Sequence, residues 1–262
     1  MASYLAILFI YAGFSFTIPI NLLNGLLIII FYILIDLLWT FIHNKVWYLP
    51  ISSVISGCVL GLVSLPDPPL VWVLLLPLLA VISKQLMHFR KIRHVFNPAA
   101  FALAIASFFF PAISWWGTSW SLLPLTITAL ISLFILWKQQ RFHVAISFLF
   151  SYTFCLSIYL ILTGLAVENL LNILSAYLIN GTLLFFTTIM LIEPLTSTFP
   201  TRRNRIIYGL LVGFLVIILT ALLKLTALPH LDPLILGLLS GNLIASLLFL
   251  PNKLTKPNEQ LK

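Results

Sequence analysis

Residues 21–42 read NLLNGLLIIIFYILIDLLWTFI, and this stretch decides the class of the protein. Asp36 is its one charged residue. As a helix rising 1.5 Å per residue it extends about 33 Å, enough to cross a hydrocarbon core near 30 Å thick. The stretch is no lone anchor, because comparable apolar runs recur from Ala2 to Leu250. Of the 262 residues, 61% are hydrophobic and 8% charged, with a mean hydropathy of +1.14. A soluble domain carries about 25% charged residues, so this chain lacks the polar surface to coat a water-soluble globule. The runs are continuous rather than alternating, which argues against a β-barrel.

Outward from that stretch, the pattern predicts an all-α polytopic membrane protein of about ten transmembrane helices. They fall at roughly 2–17, 21–42, 49–65, 69–89, 97–112, 120–137, 143–164, 171–192, 205–226 and 232–250. The start carries no basic region with a small-residue cleavage site, so it reads as a first crossing. In a soluble protein a net charge of +8 would suggest nucleic acid; here the basic residues sit in short loops, which makes them a topology signal. With the N-terminus in the cytoplasm, the cytoplasmic side receives Lys45, Lys84, Arg90, Lys91, Arg93, Lys138, Arg141, Arg202, Arg203, Arg205 and the lysines of the tail. That is 13 of the 14 Lys and Arg residues. Lys224 alone falls opposite, alongside Asp67, Glu168, Asp232 and SWWGTSW (residues 114–120). The expectation is an integral protein of a prokaryotic plasma (inner) membrane, in contact with the lipid bilayer, with both termini cytoplasmic and 251–262 as a tail.

The halves resemble each other. ISGCVLGLVSLPDPP (55–69) aligns with INGTLLFFTTIMLIEP (179–194), and NPAAFALAIAS (97–107) with DPLILGLLSGNLIAS (232–246). Five crossings per half force the second copy upside down. The prediction is therefore two inverted five-helix repeats, 1–112 and 113–250. Transporters and channels use such repeats, with sites where broken helices free backbone groups at the repeat interface. A proline after an acid or Asn is a natural helix start: proline fits the first turn and the preceding side chain caps it.

The candidate transport or cofactor residues are Asp36, Asp67, Asn97, Pro98, Thr187, Thr188, Glu193, Pro194, Thr196 and Asp232. Asp36 is an acid inside an apolar crossing, costly unless it has a proton, a cation or a nearby interface. Glu193 can ligate a cation, cap a half-helix, or pair with Arg202 or Arg203. Asn97 can offer its amide to a pore or flavin site, or cap its helix. Thr187, Thr188 and Thr196 add hydroxyls around Glu193, although such hydroxyls often bond back to their own helix. Arg90, Lys91, Arg93, Arg202, Arg203 and Arg205 are candidates for lipid or flavin phosphate. There is no metal-type spacing of Cys58 and Cys155, no Rossmann or Walker glycine motif and no iron–sulfur cysteine cluster, so no metal site and no catalytic residue is assigned.

HVFNPAAFALAI (94–105), SWWGTSWSLLPL (114–125), FFTTIMLIEPLTSTFPTRRNRIIYG (185–209) and LLSGNLIASLL (238–248) together resemble the membrane family that holds the D subunit of the Rnf electron-transport complex and the B subunit of the sodium-translocating NADH:quinone reductase. The resemblance implies a fold similar to urea transporters. It also implies a membrane subunit that supports flavin-linked electron transfer, coupled cation transport or both, beside flavin- or NADH-oxidising partner subunits. Classical members attach FMN through a threonine in an S-G-A-T type motif. That motif is absent here, and Thr118 in GTS is a poor replacement. Covalent FMN is therefore not expected, which leaves non-covalent FMN or riboflavin as the candidate cofactor. At most the chain is a non-catalytic or redox-carrying subunit of an oxidoreductase. The alternative expectation is a stand-alone transporter or channel for a small solute such as a flavin or a urea-like molecule.

Overall fold

The computed structural model describes residues 1–15, 19–45, 47, 51–89, 93–118, 122–226, 228 and 230–249. Arg90, Lys91 and the 251–262 tail lie outside the described residues, as does the side chain of Arg93.

The first half comprises α1 (Ala2–Ser15), α2 (Pro19–Asn44), α3 (Ile51–Val63), α4 (Leu70–Leu86) and α5 (Pro98–Ala106). The second comprises α6 (Leu122–Gln139), α7 (Phe142–Leu162), α8 (Val167–Leu178), α9 (Gly181–Phe185), α10 (Pro194–Ser197), α11 (Arg202–Thr226) and α12 (Pro233–Phe249). Between α4 and α5 runs a two-residue antiparallel pair, β1 (His88–Phe89) with β2 (Arg93–His94). Apart from that pair and an isolated bridge between Ser64 and Ile113, the regular structure of the described residues is helical.

Among the described residues three helices are long and apolar enough to cross a membrane: Leu22–Asn44, Phe142–Leu162 and Arg202–Thr226. A fourth span results if Val167–Leu178 and Gly181–Met190, which meet at 56°, are taken as one broken crossing. The other apolar helices are shorter, and the sequence explains why. α3 stops before SLPDPP, whose three prolines lack N–H groups and disfavour helix in the residues before them. The predicted 97–112 crossing shrinks to the nine residues of α5, about 14 Å of helix, and runs out ahead of Pro111. The predicted 171–192 crossing breaks at Asn180, whose side chain caps α9 by accepting from Thr182 N at 2.8 Å. Beyond α9 the backbone widens into a π-helical turn, Phe186–Met190.

The helices turn their apolar stripes outward. Along α2, Leu23, Leu26, Ile30, Leu34, Leu38 and Ile42 are exposed at three- and four-residue spacing, while Ile28, Tyr32 and Asp36 on the other face are buried. Leu162 and Leu225 are 80% and 83% exposed. An apolar surface this continuous belongs against lipid rather than water.

Packing follows a parallel order in the two halves. α2 packs on α3 and α4, and α4 on α5; α7 packs on α11, and α11 on α12; α5 and α12 meet across the halves. Gly213 brings α11 against α7 so closely that a Cβ there would lie 2.8 Å from both Phe148 O and Tyr152 N. Small residues permit this backbone approach between apolar helices.

Candidate functional site

The broken segment Gly181–Met190 has a cavity at each end. At its C-terminal end Glu193 and Asn97, far apart in sequence, line one cavity of about 310 Å³ together with Ser52, Ser56, Gln139 and Pro194. At its N-terminal end Asn180 and Thr182 join Asp232, Lys224 and three tyrosines around a second cavity of about 290 Å³. Phe185 and Phe186, fully buried, fill the helix between the two.

Asn97 sits at the start of α5 because its Oδ1 accepts from Ala100 N at 3.0 Å, with Pro98 in the first turn. Its amide nitrogen reaches toward Met190 O at 3.5 Å, tying α5 to the end of the π-helical turn. Glu193 begins α10 differently: Pro194 follows it, but its side chain makes no cap, and it is its carbonyl that accepts from Ser197 N at 3.0 Å and Ser197 Oγ at 2.8 Å. Its carboxylate accepts from Thr196 Oγ1 at 3.4 Å. The side chain is thereby left to the cavity, and among the described residues no ion pair joins it to Arg202 or Arg203. The hydroxyls of Thr187 and Thr188 do bond back to their own helix, to Leu183 O and Leu184 O at 2.7 Å each. Thr188 Oγ1 also lies 3.0 Å from Ser132 Oγ, whose hydroxyl can donate to it.

Asp232 caps α12 by accepting from Leu234 N at 2.8 Å and Ile235 N at 3.0 Å. Its second oxygen accepts from the indole Nε1 of Trp115 at 2.7 Å. Trp115 is placed by a loop that folds back on the end of α3: Ser114 N, Trp115 N and Gly117 N donate to Val63 O, Val63 O and Leu62 O at 3.0, 3.2 and 3.0 Å. The backbone of Trp115 has φ of 55°, a left-handed conformation that bulky residues rarely take. Thr118 is fully buried and donates to Trp115 O at 3.0 Å.

Neither the family models nor the curated proteins contain a match to this chain.

Asp36 is fully buried in α2 and held on several sides. It pairs with Lys84 Nζ at 2.8 Å, accepts from Gln85 Nε2 at 2.7 Å, and takes a further hydrogen bond from Ser53. Lys84, expected as a loop cation, lies instead in the last turn of α4, with its side chain 10% exposed. Asp67 stands apart from both cavities; it is exposed and accepts from Asn24 Nδ2 at 3.1 Å.

Arg141, another expected loop cation, is buried. It donates to Ser197 O at 3.0 Å and to Thr198 Oγ1, clamping the end of α10 behind Glu193. Burial, then the neighbouring Arg205, lowers its pKa from the ordinary guanidinium value. Arg205 in turn donates from Nε to Phe199 O at 2.9 Å. Arg203 is exposed, and Arg202 faces an open hollow beside Lys138 and His143. The basic residues thus gather at the Glu193 end of the molecule, whereas Lys224 lines the Asp232 cavity.

The structure therefore unites Asn97, Pro98, Glu193, Pro194 and Thr196 at one end and sets Asp232 at the other. Sequence reading missed Gln139, Arg141 and Trp115 as parts of these sites. Trp115 carried a signal, since a Trp-rich loop invites a partner for each indole N–H. Gln139 carried none.

Proposed function

We propose that the chain is a membrane transport protein that moves a small cation or polar solute between the Glu193 and Asp232 cavities. One observation carries this reading: two cavities lie at the two ends of the Gly181–Met190 segment, each with a helix-starting acid set in a largely apolar lining, and with Phe185 and Phe186 buried between them. A charged solute crossing an apolar interior needs polar stations, and broken helices are where transporters place them.

In this reading the helices form ten crossings in two inverted repeats, 1–112 and 113–250. The parallel packing of α2–α4–α5 and α7–α11–α12 supports that arrangement, as do the matched starts of α5 and α12. The Glu193 end faces the cytoplasm of a prokaryote, since Arg141, Arg202, Arg203 and Arg205 collect there. The resemblance to the Rnf and NADH:quinone reductase membrane subunits adds a role beside flavin- or NADH-oxidising partners, with FMN or riboflavin held non-covalently. That addition rests on the quoted motifs.

Uptake of radioactive sodium into liposomes bearing the purified chain tests the transport reading, with Glu193→Gln as the control. Uptake abolished by the substitution supports it; the absence of uptake for sodium, urea-like amides and flavins removes it. An absorbance spectrum before and after acid precipitation tests the electron-transport role, which predicts flavin released into the supernatant.

A second reading, a stand-alone carrier of a flat neutral solute, is favoured by the four aromatic residues Trp115, Tyr152, Tyr159 and Tyr177 that line the Asp232 cavity. Flavin or urea-like amide uptake by a colourless protein would select it.

A further inference from the structure

We infer that the Asp232 cavity is a binding site for a small zwitterion of the amino-acid kind, which sets its ammonium on Asp232 and its carboxylate on Lys224. The inference rests on the transport reading of this cavity and names the class of solute.

Asp232 and Lys224 carry opposite charges and line one cavity of about 290 Å³. They do not pair with each other: among the described residues Asp232 has no ion-pair partner. Its three donors, Leu234 N, Ile235 N and Trp115 Nε1, are all neutral. They fix the carboxylate in place and leave its charge uncancelled. A carboxylate offers about four acceptor positions, so one remains, on Oδ2. A charge set among apolar groups is costly without a counter-charge. An ammonium donating to the open position of Oδ2 supplies it.

Lys224 provides for the other end of the guest. It is exposed, with Nζ 5.1 Å from the centre of the Tyr159 ring. The Tyr159 side chain does not exhaust three N–H groups, so the ammonium stays open to an anion. Tyr152 lies between these requirements. It is 8% exposed, it lines the cavity, and the charge of Asp232 acts on it. Among the described residues its hydroxyl has no hydrogen-bond partner. A buried hydroxyl ordinarily has one, and a polar guest beside Asp232 would be that partner.

The rest of the lining is mainly aliphatic, including Leu156 on α7 and Val216 on α11. That suits the organic body of an amino acid and not a bare metal ion, which collects several oxygens. The volume, many times the about 30 Å³ share of one water, suits it as well.

The test is thermal unfolding of the full chain in detergent, with L-leucine and its two half-charged relatives. Isopentylamine lacks the carboxylate and isocaproate lacks the ammonium. A ligand held by the folded state raises the midpoint. Leucine is expected to raise it. Each relative is expected to need about tenfold more for the same rise, the scale of one lost hydrogen bond to a charged group. Lys224→Met alters an exposed side chain and should bring leucine down to the level of isopentylamine, with isopentylamine itself unchanged. A lysine that only stabilised the fold would leave the ratio of the two as it was. Isopentylamine matching leucine on the unmodified protein would mean a plain organic-cation site and overturns the inference. So does a leucine response untouched by Lys224→Met, and so does the absence of any shift with glycine, leucine and phenylalanine alike. Uptake separates the two ideas. Sodium or amide uptake by protein whose midpoint ignores amino acids sinks this inference alone. An amino-acid-dependent midpoint in protein that takes up no solute sinks the transport reading alone.

Discussion

Trp115 and Asp232, 117 residues apart, are joined by an indole-to-carboxylate hydrogen bond of 2.7 Å. The bond ties the loop after α5 to the start of α12, at the wall of the Asp232 cavity. The loop holds Trp115 in an unfavourable backbone conformation, and the bonds to the end of α3 keep it there.

Trp115→Phe keeps the apolar packing and deletes the donor. A buried hydrogen bond to a charged group contributes about 1.5–3 kcal/mol, so the variant should unfold at a lower temperature in detergent. Asp232→Asn keeps one oxygen, enough for Leu234 N and Ile235 N but not also for the indole, which then faces an NH2 donor, so it should lose a similar amount. Full stability in either variant would mean that the indole-to-carboxylate bond contributes nothing to this corner.

Arg141→Gln should loosen α10 and with it the position of Glu193. The guanidinium serves two acceptors at once, Ser197 O and Thr198 Oγ1, and a fork of this kind is not reproduced by an ammonium. Arg141→Lys is therefore expected to restore little. The expected loss of stability is about 1.5–3 kcal/mol, read as a lower unfolding midpoint, together with slower uptake by protein that remains folded. Full recovery in the lysine variant would reduce Arg141 to a topology charge.

The membrane class was legible because it needs only length and hydropathy: Leu22–Asn44, Phe142–Leu162 and Arg202–Thr226 match the apolar runs at 21–42, 143–164 and 205–226. The capped helix starts at Asn97–Pro98 and Asp232–Pro233 were legible for a local reason, since capping chemistry is written in adjacent residues, whereas at Glu193–Pro194 the helix starts without a side-chain cap. The break at Asn180 and the π-helical turn after Phe185 were not, because an apolar run carries no mark of where its hydrogen bonding widens. The pairing of Asp36 with Lys84 was also hidden. It joins α2 to the last turn of α4, and a lysine near the end of an apolar segment reads equally well as a loop charge.

Gly213→Leu should separate α7 from α11. A Cβ at this position already meets Phe148 O and Tyr152 N at 2.8 Å and Ser151 Cβ at 2.9 Å, two of them backbone atoms that cannot rotate away. Overpacking of this kind costs about 1–3 kcal/mol, and here it strikes two long apolar helices. The expected readout is a lowered unfolding midpoint and a smaller folded fraction on gel filtration. Gly164, where nothing lies within 4 Å of an added Cβ, has φ of 92°. Its alanine variant should lose stability through backbone strain alone, about 1 kcal/mol.

Asp36→Asn and Lys84→Met should each destabilise the protein far more than the two together. Removing one partner of a buried pair leaves the other charge uncompensated, at a cost of about 3–5 kcal/mol, whereas replacing both is often near neutral. Asp36→Asn is the harsher single change, because the buried Lys84 ammonium then has only neutral oxygens around it, the new amide and the hydroxyls of Ser52 and Ser53. Lys84→Met leaves Asp36 with Gln85 Nε2 at 2.7 Å and the Ser53 hydroxyl. A double-mutant cycle on unfolding midpoints measures the coupling. A coupling indistinguishable from zero would mean that the ion pair contributes nothing to holding α2 against α4, and that the surrounding hydroxyls and Gln85 hold each charge by themselves.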